Sequence, residues 1–196
     1  AIGRCVDAPR LQEKKQDGSG QKKGTMIRFK PDDQIFDKVK FDPTIIRTRM
    51  KELAFLNSGT ELHLRTFDKK TKEYEDEKLL FAEGLKDYVL DLTSDATRLH
   101  EPITFSGTMD GVRVEGALCW TADSYSDTLL GYANSIRTTD GGTHLDGLKY
   151  SLTKTLNVVS RKAKLLKDSD PNLGGDHIRE GLSGVIAVWV PEPEFE

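Results

Sequence analysis

Cysteine is scarce, and the two that occur, Cys5 and Cys119, have no metal-ligand spacing. That usage predicts a reduced, intracellular protein. No apolar run approaches the roughly 18 residues a membrane-spanning helix needs. The four histidines, His63, His100, His144 and His177, show no ligand spacing with one another. No G-x-S-x-G nucleophile turn is present. Neither of the two familiar phosphate-binding glycine patterns, G-x-G-x-x-G and G-x-x-x-x-G-K-[ST], is found. Charge of one sign is lacking too: the net charge of −3 is too balanced to announce a nucleic-acid binder.

What is present is 36% hydrophobic and 31% charged residues in 196, enough for a core under a highly charged surface. The opening AIGRCVDAPRL lacks Met and carries no signal-peptide pattern. VWVPEPEFE follows directly on an apolar strand, and both ends predict a piece of a longer chain. Residues 12–23 are polar and glycine-rich and predict a loop. TMIRFKPD, 25–32, alternates and predicts a strand ended by Pro31.

Asp42-Pro43 predicts a helix start, with Ile45, Ile46, Met50, Leu53 and Leu56 on its apolar face and Asn57-Ser58-Gly59 as its stop. Residues 60–66 alternate as a half-buried strand, 68–77 form a charged hairpin tip, and 78–83 return. Gly84 breaks that strand, and Leu85, Tyr88, Val89 and Leu92 mark a short helix. Two strands around Asp110-Gly111 predict a hairpin in which Val112, Val114, Leu118 and Trp120 share a face. Residues 127–138 predict one strand, 143 to about 166 a long helix, HIREGL a short helical turn, and SGVIAVWV a buried closing strand. The class is α+β, without internal repeats.

The stretch DGGTHLDG, 140–147, poses the main chemical question. Its glycines could offer N–H groups to a phosphate. Thr143 and Asp146 also stand as a capping box, ahead of a stripe of Leu145, Leu148, Leu152, Leu156 and Val159. A glycine turn feeding a capped helix outweighs the phosphate cradle. Asp176, His177, Arg179 and Glu180 form a dense polar cluster that reads as a cap and ion-pair network before it reads as catalytic. Arg161, Lys162, Lys164 and Lys167 put four cations in seven positions, readable as a solvated helix end or as a phosphate-facing patch.

Five strings, GTMIRFKPDDQIF, RMKELAFLNSG, NSIRTTDGGTHLDG, REGLSGVIAV and VPEPEFE, occur in this order. Together they resemble the ATPase (B) subunit of bacterial-type type IIA DNA topoisomerases, most like the B subunit of DNA gyrase. The resemblance covers about residues 24–196. It implies an α+β chain made of the C-terminal part of a GHKL-type α/β sandwich, followed by a ribosomal-protein-S5 domain 2-like transducer domain. Residues 1–92 would be the end of the ATPase domain with a connecting helix, and 93–196 the transducer, cut before the family's Gln-Thr-Lys loop.

The function implied is the coupling of ATP binding and hydrolysis to DNA strand passage and negative supercoiling. ATP and Mg²⁺ serve the full-length enzyme, and none is expected tightly bound to these residues. Gly24 and Thr25 would edge the adenine pocket, the Thr25 hydroxyl acting as donor and acceptor. No catalytic or metal-binding residue falls within the chain, and the isolated residues are expected to be inactive. Arg137 falls in the loop that lines the family's DNA cavity, with Thr139 at the neighbouring position that is basic in relatives. Arg137, Arg161, Lys162, Lys164 and Lys167 are the expected DNA-facing set. Expected partners are DNA, the missing N-terminal part of the ATPase domain, a second copy of the subunit, and the gyrase A subunit in an A2B2 complex. The expected location is cytoplasmic and nucleoid-associated, or a plastid or other organelle in a eukaryote. The topoisomerase IV B subunit and a non-catalytic S5-like nucleic-acid-binding adaptor are the alternatives.

Overall fold

The computed structural model describes residues 10–11, 25–36, 40–68 and 70–194, with backbone alone at 10–11 and 25–26. The chain divides into two units, 1–42 and 43–196. In the first, β1 (Arg10–Leu11) pairs antiparallel with β2 (Thr25–Met26). The strand predicted over 25–32 therefore stops at Met26. A strand persists only where it has a ladder partner, and β1 is two residues long. Beyond it Ile27 and Phe29 are exposed, and Phe29 meets Phe41 edge-on at 5.6 Å.

The second unit begins with α1 (Pro43–Leu56), which ends where Gly59 takes the left-handed conformation, φ 77°. Its burial is concentrated in the last turn, at Ala54, Phe55 and Leu56, while Ile45 stays exposed. A two-stranded ribbon follows, β3 (Leu62–Asp68) against β4 (Glu73–Leu79). The charged run at 68–77, expected as a hairpin tip, is mostly strand. With both faces largely in water, its charges pair across the ladder instead of looping out, as Arg65 does with Asp76 at 3.0 Å.

After α2 (Leu85–Leu92) comes a five-stranded sheet of β5 (Ile103–Met109), β6 (Val112–Trp120), β7 (Thr128–Ala133), β8 (Ile136–Arg137) and β9 (Leu182–Trp189). The strand order is β5-β6-β9-β7-β8. Asp110 and Gly111 both have positive φ, 51° and 81°, the two-residue turn whose twist matches a hairpin. The strand expected over 127–138 is likewise a tight hairpin, because Asn134 and Ser135 take φ 47° and 65° and reverse the chain. β9 lies antiparallel to β6 and parallel to β7. Parallel neighbours require a crossover, supplied by α3 (Thr143–Lys162) and α4 (Gly175–Arg179).

Both faces of the sheet are covered. On one, Ala117, Cys119, Tyr132, Val185 and Ala187 pack with Phe55, Leu56, Leu85, Tyr88 and Val89 of α1 and α2. On the other, Leu118, Leu182 and Ile186 pack with Leu145 and Leu148 of α3. Only the first half of the α3 stripe is covered: Val159 is exposed, and Asn157 is the buried residue of the second half. The Asn157 amide donates to the Leu173 carbonyl at 3.1 Å and its oxygen accepts from the Leu173 N–H at 2.7 Å, tying the returning loop to the helix. α3 ends at Lys162, short of the expected Leu166, and Lys164 turns left-handed at φ 58°.

Two buried polar contacts generate predictions. The Tyr88 and Tyr132 hydroxyls lie 2.8 Å apart inside the α2 face of the sheet, and burial pushes both phenols above their ordinary range. Tyr132→Phe leaves the Tyr88 hydroxyl buried without this partner and is expected to cost about 1–3 kcal/mol. The double change to Phe removes both polar groups and costs less than the sum of the two single changes. Urea unfolding of the four proteins measures this, and strict additivity would contradict it.

His144 is the second contact. Its Nε2 lies 3.0 Å from Thr138 Oγ1, and burial pushes its pKa below 6.5 although Asp146 pulls the other way. The unfolded chain then binds the proton at higher pH than the native state does. This contribution is complete above pH 6.5 and is lost as pH falls through the native value. The urea midpoint is expected to drop more between pH 7.5 and 5.5 in the wild type than in His144→Gln. Equal drops would contradict it.

Candidate functional site

The 140–147 turn resolves into backbone geometry. Gly142, at φ 141° and ψ 164°, precedes the first helical residue, Thr143, and no side chain caps the helix. The Thr143–Asp146 capping box therefore does not form, since Thr143 has already entered the helix. The Gly142 carbonyl accepts from the Leu145 and Asp146 N–H groups at 3.0 and 3.1 Å. His144 turns back to Thr138, as described above, which ties the start of α3 to the residue that follows β8.

The polar cluster near α4 is an ion-pair network. The Arg179 guanidinium donates to Asp127 at 3.1 Å and to Asp176 at 2.6 Å. Among the described residues, no group of three His, Cys, Asp or Glu side chains is placed to hold a metal. Cys119 is free and buried, its thiol pushed up by burial and directed to the His100 carbonyl at 3.2 Å. No described helix is long and apolar enough to cross a membrane.

The richest polar constellation lies where α1 meets the β7–β8 hairpin. The Glu52 side chain is only 12% exposed and is shared by two arginines. Its Oε2 accepts from Arg49 at 2.9 Å, and its Oε1 lies 3.8 Å from Arg137, which is 47% exposed. The other Arg49 nitrogen donates to the Ser135 carbonyl at 2.8 Å. Next to it, the Asn134 amide donates to the Val190 carbonyl and accepts from the Val190 N–H, each at 2.9 Å. Lys51 pairs with Asp91 at 2.5 Å and fastens α1 to α2. Glu52 and Arg137 also act on the buried tyrosine pair beneath them, in opposite directions.

Sequence reading singled out Arg137 but neither Glu52, Arg49 nor Asn134. The i,i+3 spacing of Arg49 and Glu52 was an available signal. So was an asparagine inside an otherwise strand-like run, because asparagine tolerates positive φ.

The expected site residues are distributed as follows. Gly24 lies outside the described residues, and Thr25 pairs with Leu11 in the short β1–β2 ladder. Arg137 faces Tyr132 across the hairpin, which puts it on the α1–α2 face of the sheet. Arg161 and Lys162 close α3, on the opposite face, so the sheet separates Arg137 from them. Arg161 is engaged by the loop after α3, donating to the Lys167 carbonyl, and at 2.8 Å to both the Asp170 carbonyl and Asn172 Oδ1. Lys162, Lys164 and Lys167 are exposed, and no ion pair among the described residues engages them.

The family model for DNA gyrase B matches residues 84–196. Over 180 residues the chain is 53% identical to the DNA gyrase B subunit of Synechocystis sp., covering 90% of this chain and 16% of that protein. Over 181 residues it is 50% identical to the chloroplastic/mitochondrial DNA gyrase B subunit of Oryza sativa subsp. japonica, covering 92% and 25%. The 43K ATPase domain of Thermus thermophilus gyrase B, solved in complex with an aminocoumarin, superposes with a TM-score of 0.73 at 35% identity. That match covers 85% of this chain and 44% of the solved one. The chain thus spans a quarter or less of the length of these two curated relatives. With a family model across more than half of its residues and a solved gyrase B domain sharing its α+β fold, the chain belongs to the DNA gyrase B family.

Proposed function

We propose that these residues work as part of the ATPase subunit of an ATP-driven type II DNA topoisomerase, coupling ATP binding and hydrolysis to strand passage and negative supercoiling. The observation that carries this is the 53% identity to a DNA gyrase B subunit across 90% of the chain. The topoisomerase IV B subunit is the more distant alternative. In this reading residues 1–92 end the nucleotide-binding domain, with Gly24 and Thr25 at the edge of the adenine pocket, and 93–196 form the transducer. ATP and Mg²⁺ belong to the full-length enzyme, and residues 1–196 alone release phosphate from ATP only at background. The working assembly adds the rest of the ATPase domain, a second copy of the subunit, the gyrase A subunit and DNA. Its location is the cytoplasm, at the nucleoid, or an organelle like those of the plant relatives.

In the same reading Arg137, on the α1–α2 side of the sheet, and the exposed Lys162, Lys164 and Lys167, on the α3 side, meet the DNA backbone as two separate patches. Arg161 contributes by holding the loop that carries the last two lysines. Each neutralised phosphate steepens the salt dependence of binding by roughly 0.9 in log–log slope. Reversing Arg137, or the three lysines together, to Glu is expected to lower DNA-stimulated ATP turnover of the complete enzyme and flatten its salt dependence. Unchanged stimulation and slope would sink the assignment.

A further inference from the structure

Arg137 holds its partner loosely. Its guanidinium lies 3.8 Å from Glu52 and is about half exposed. Glu52 itself is nearly enclosed, and its other oxygen is bound closely by Arg49 at 2.9 Å. Arg49 in turn grips the turn just ahead of Arg137, through the Ser135 carbonyl at 2.8 Å. One carboxylate on α1 thus faces two arginines of unequal freedom. Arg49 is on its own helix and doubly bonded. Arg137 is on an edge strand of two residues and can swing outward.

The turn that carries Arg137 is anchored independently. The Asn134 amide continues the β7–β9 ladder onto Val190 after the β7 backbone has turned away. Releasing Arg137 from Glu52 therefore leaves the hairpin in place. What changes is the charge balance on α1: a carboxylate previously shared by two cations is left with one.

We propose that a nucleic-acid phosphate competes with the Glu52 carboxylate for Arg137, and that this exchange is how α1 senses bound DNA. The inference rests on the DNA-coupled reading above and makes Glu52 a positioning residue. In the absence of DNA it restrains Arg137, and on binding it gives Arg137 up. A guanidinium suits both partners, because its planar fork matches carboxylate and phosphate alike. A contact as long as 3.8 Å, with its arginine about half exposed, is weak enough to exchange without cost to the fold. By linkage, whatever the phosphate gains in taking Arg137 is reduced by what Glu52 loses, so the two sites are coupled reciprocally.

The signature differs from that of a merely structural contact. Glu52→Gln keeps the shape and an acceptor for Arg49 but drops the competing charge. In the complete enzyme it is expected to tighten duplex DNA binding about two- to fivefold at low salt, the range a weak ion pair is worth. It also shrinks the ratio of DNA-stimulated to DNA-free ATP turnover, because α1 has already lost the pair. Arg137→Gln shrinks the same ratio but weakens DNA binding and lowers the salt slope by about one. Glu52→Asp, which keeps the charge with a shorter reach, falls between wild type and Glu52→Gln. In an Arg137→Gln background Glu52→Gln no longer tightens binding.

Loosened DNA binding in Glu52→Gln, or equal tightening with and without Arg137, overturns the exchange. If Glu52→Gln does not fold, Arg137→Gln decides alone: an unchanged turnover ratio overturns it. A wild-type enzyme whose turnover ignores DNA overturns the DNA-coupled reading and this inference with it. A responsive wild type beside a Glu52→Gln variant with the same DNA affinity and the same turnover ratio overturns the exchange only.

Discussion

The second unit depends on one strand arriving late. β9 is the last element among the described residues, yet it occupies the middle of the five-stranded sheet. Until residues 182–189 insert, β6 has only β5 as neighbour, and β7 has only the two residues of β8. The core is divided about the same strand. Leu182 and Ile186 face α3, while Val185 and Ala187 face α2, so each helix layer packs on alternate residues of β9. Such long-range pairing makes local structure insufficient, because α2, the β5–β6 hairpin and α3 have no common floor without it. The parallel β7–β9 register also fixes the crossover, since α3 must return over the sheet for β9 to enter in that direction.

Where backbone ladders run out, side-chain amides and a guanidinium continue them. Asn134 satisfies both polar groups of Val190, and Asn157 does the same for Leu173. Arg161 satisfies two carbonyls of the loop after α3. Buried backbone groups need partners, and a polar side chain with donor and acceptor in one plane can imitate a missing strand. No buried side-chain nitrogen or oxygen among the described residues lacks a partner. This accounting explains why Asn157 sits within a helix face that otherwise reads as leucine, and why Arg161, an apparent surface cation, is part of the loop's scaffold.

Much of the fold was legible in the sequence, for reasons tied to particular residues. SGVIAVWV is apolar without alternation because both its faces are covered. Asp110-Gly111 and the Pro43 start announced themselves through backbone chemistry. The errors came where a local pattern lacked its tertiary partner. Residues 27–32 alternate but have no ladder, and the second half of the α3 stripe has no sheet beneath it. The 68–77 run is charged yet paired, because a ribbon in water needs no apolar face. Thr143 and Asp146 have capping-box spacing, but Gly142 takes the cap position itself. Of the candidate site, Arg137 could be named from the sequence while its partner could not. Glu52 is 85 positions upstream, and only the packing of α1 against the hairpin brings them together.

That packing also assigns a division of labour at the hairpin. A contact that transmits a change must differ little in free energy between its two states, or no ligand of ordinary affinity could move it. The Asn134–Val190 clasp, two hydrogen bonds at 2.9 Å in partly buried surroundings, is too well satisfied to serve. Its loss would strand a backbone donor and acceptor together. The Arg49–Glu52 pair is bonded on both sides, to the carboxylate and, through Arg49, to Ser135. Only Arg137 combines a long contact, exposure and a second kind of anion it could bind. The fixed clasp is what gives the soft contact its use, because an arginine on a drifting strand would report its own motion instead of the ligand's arrival.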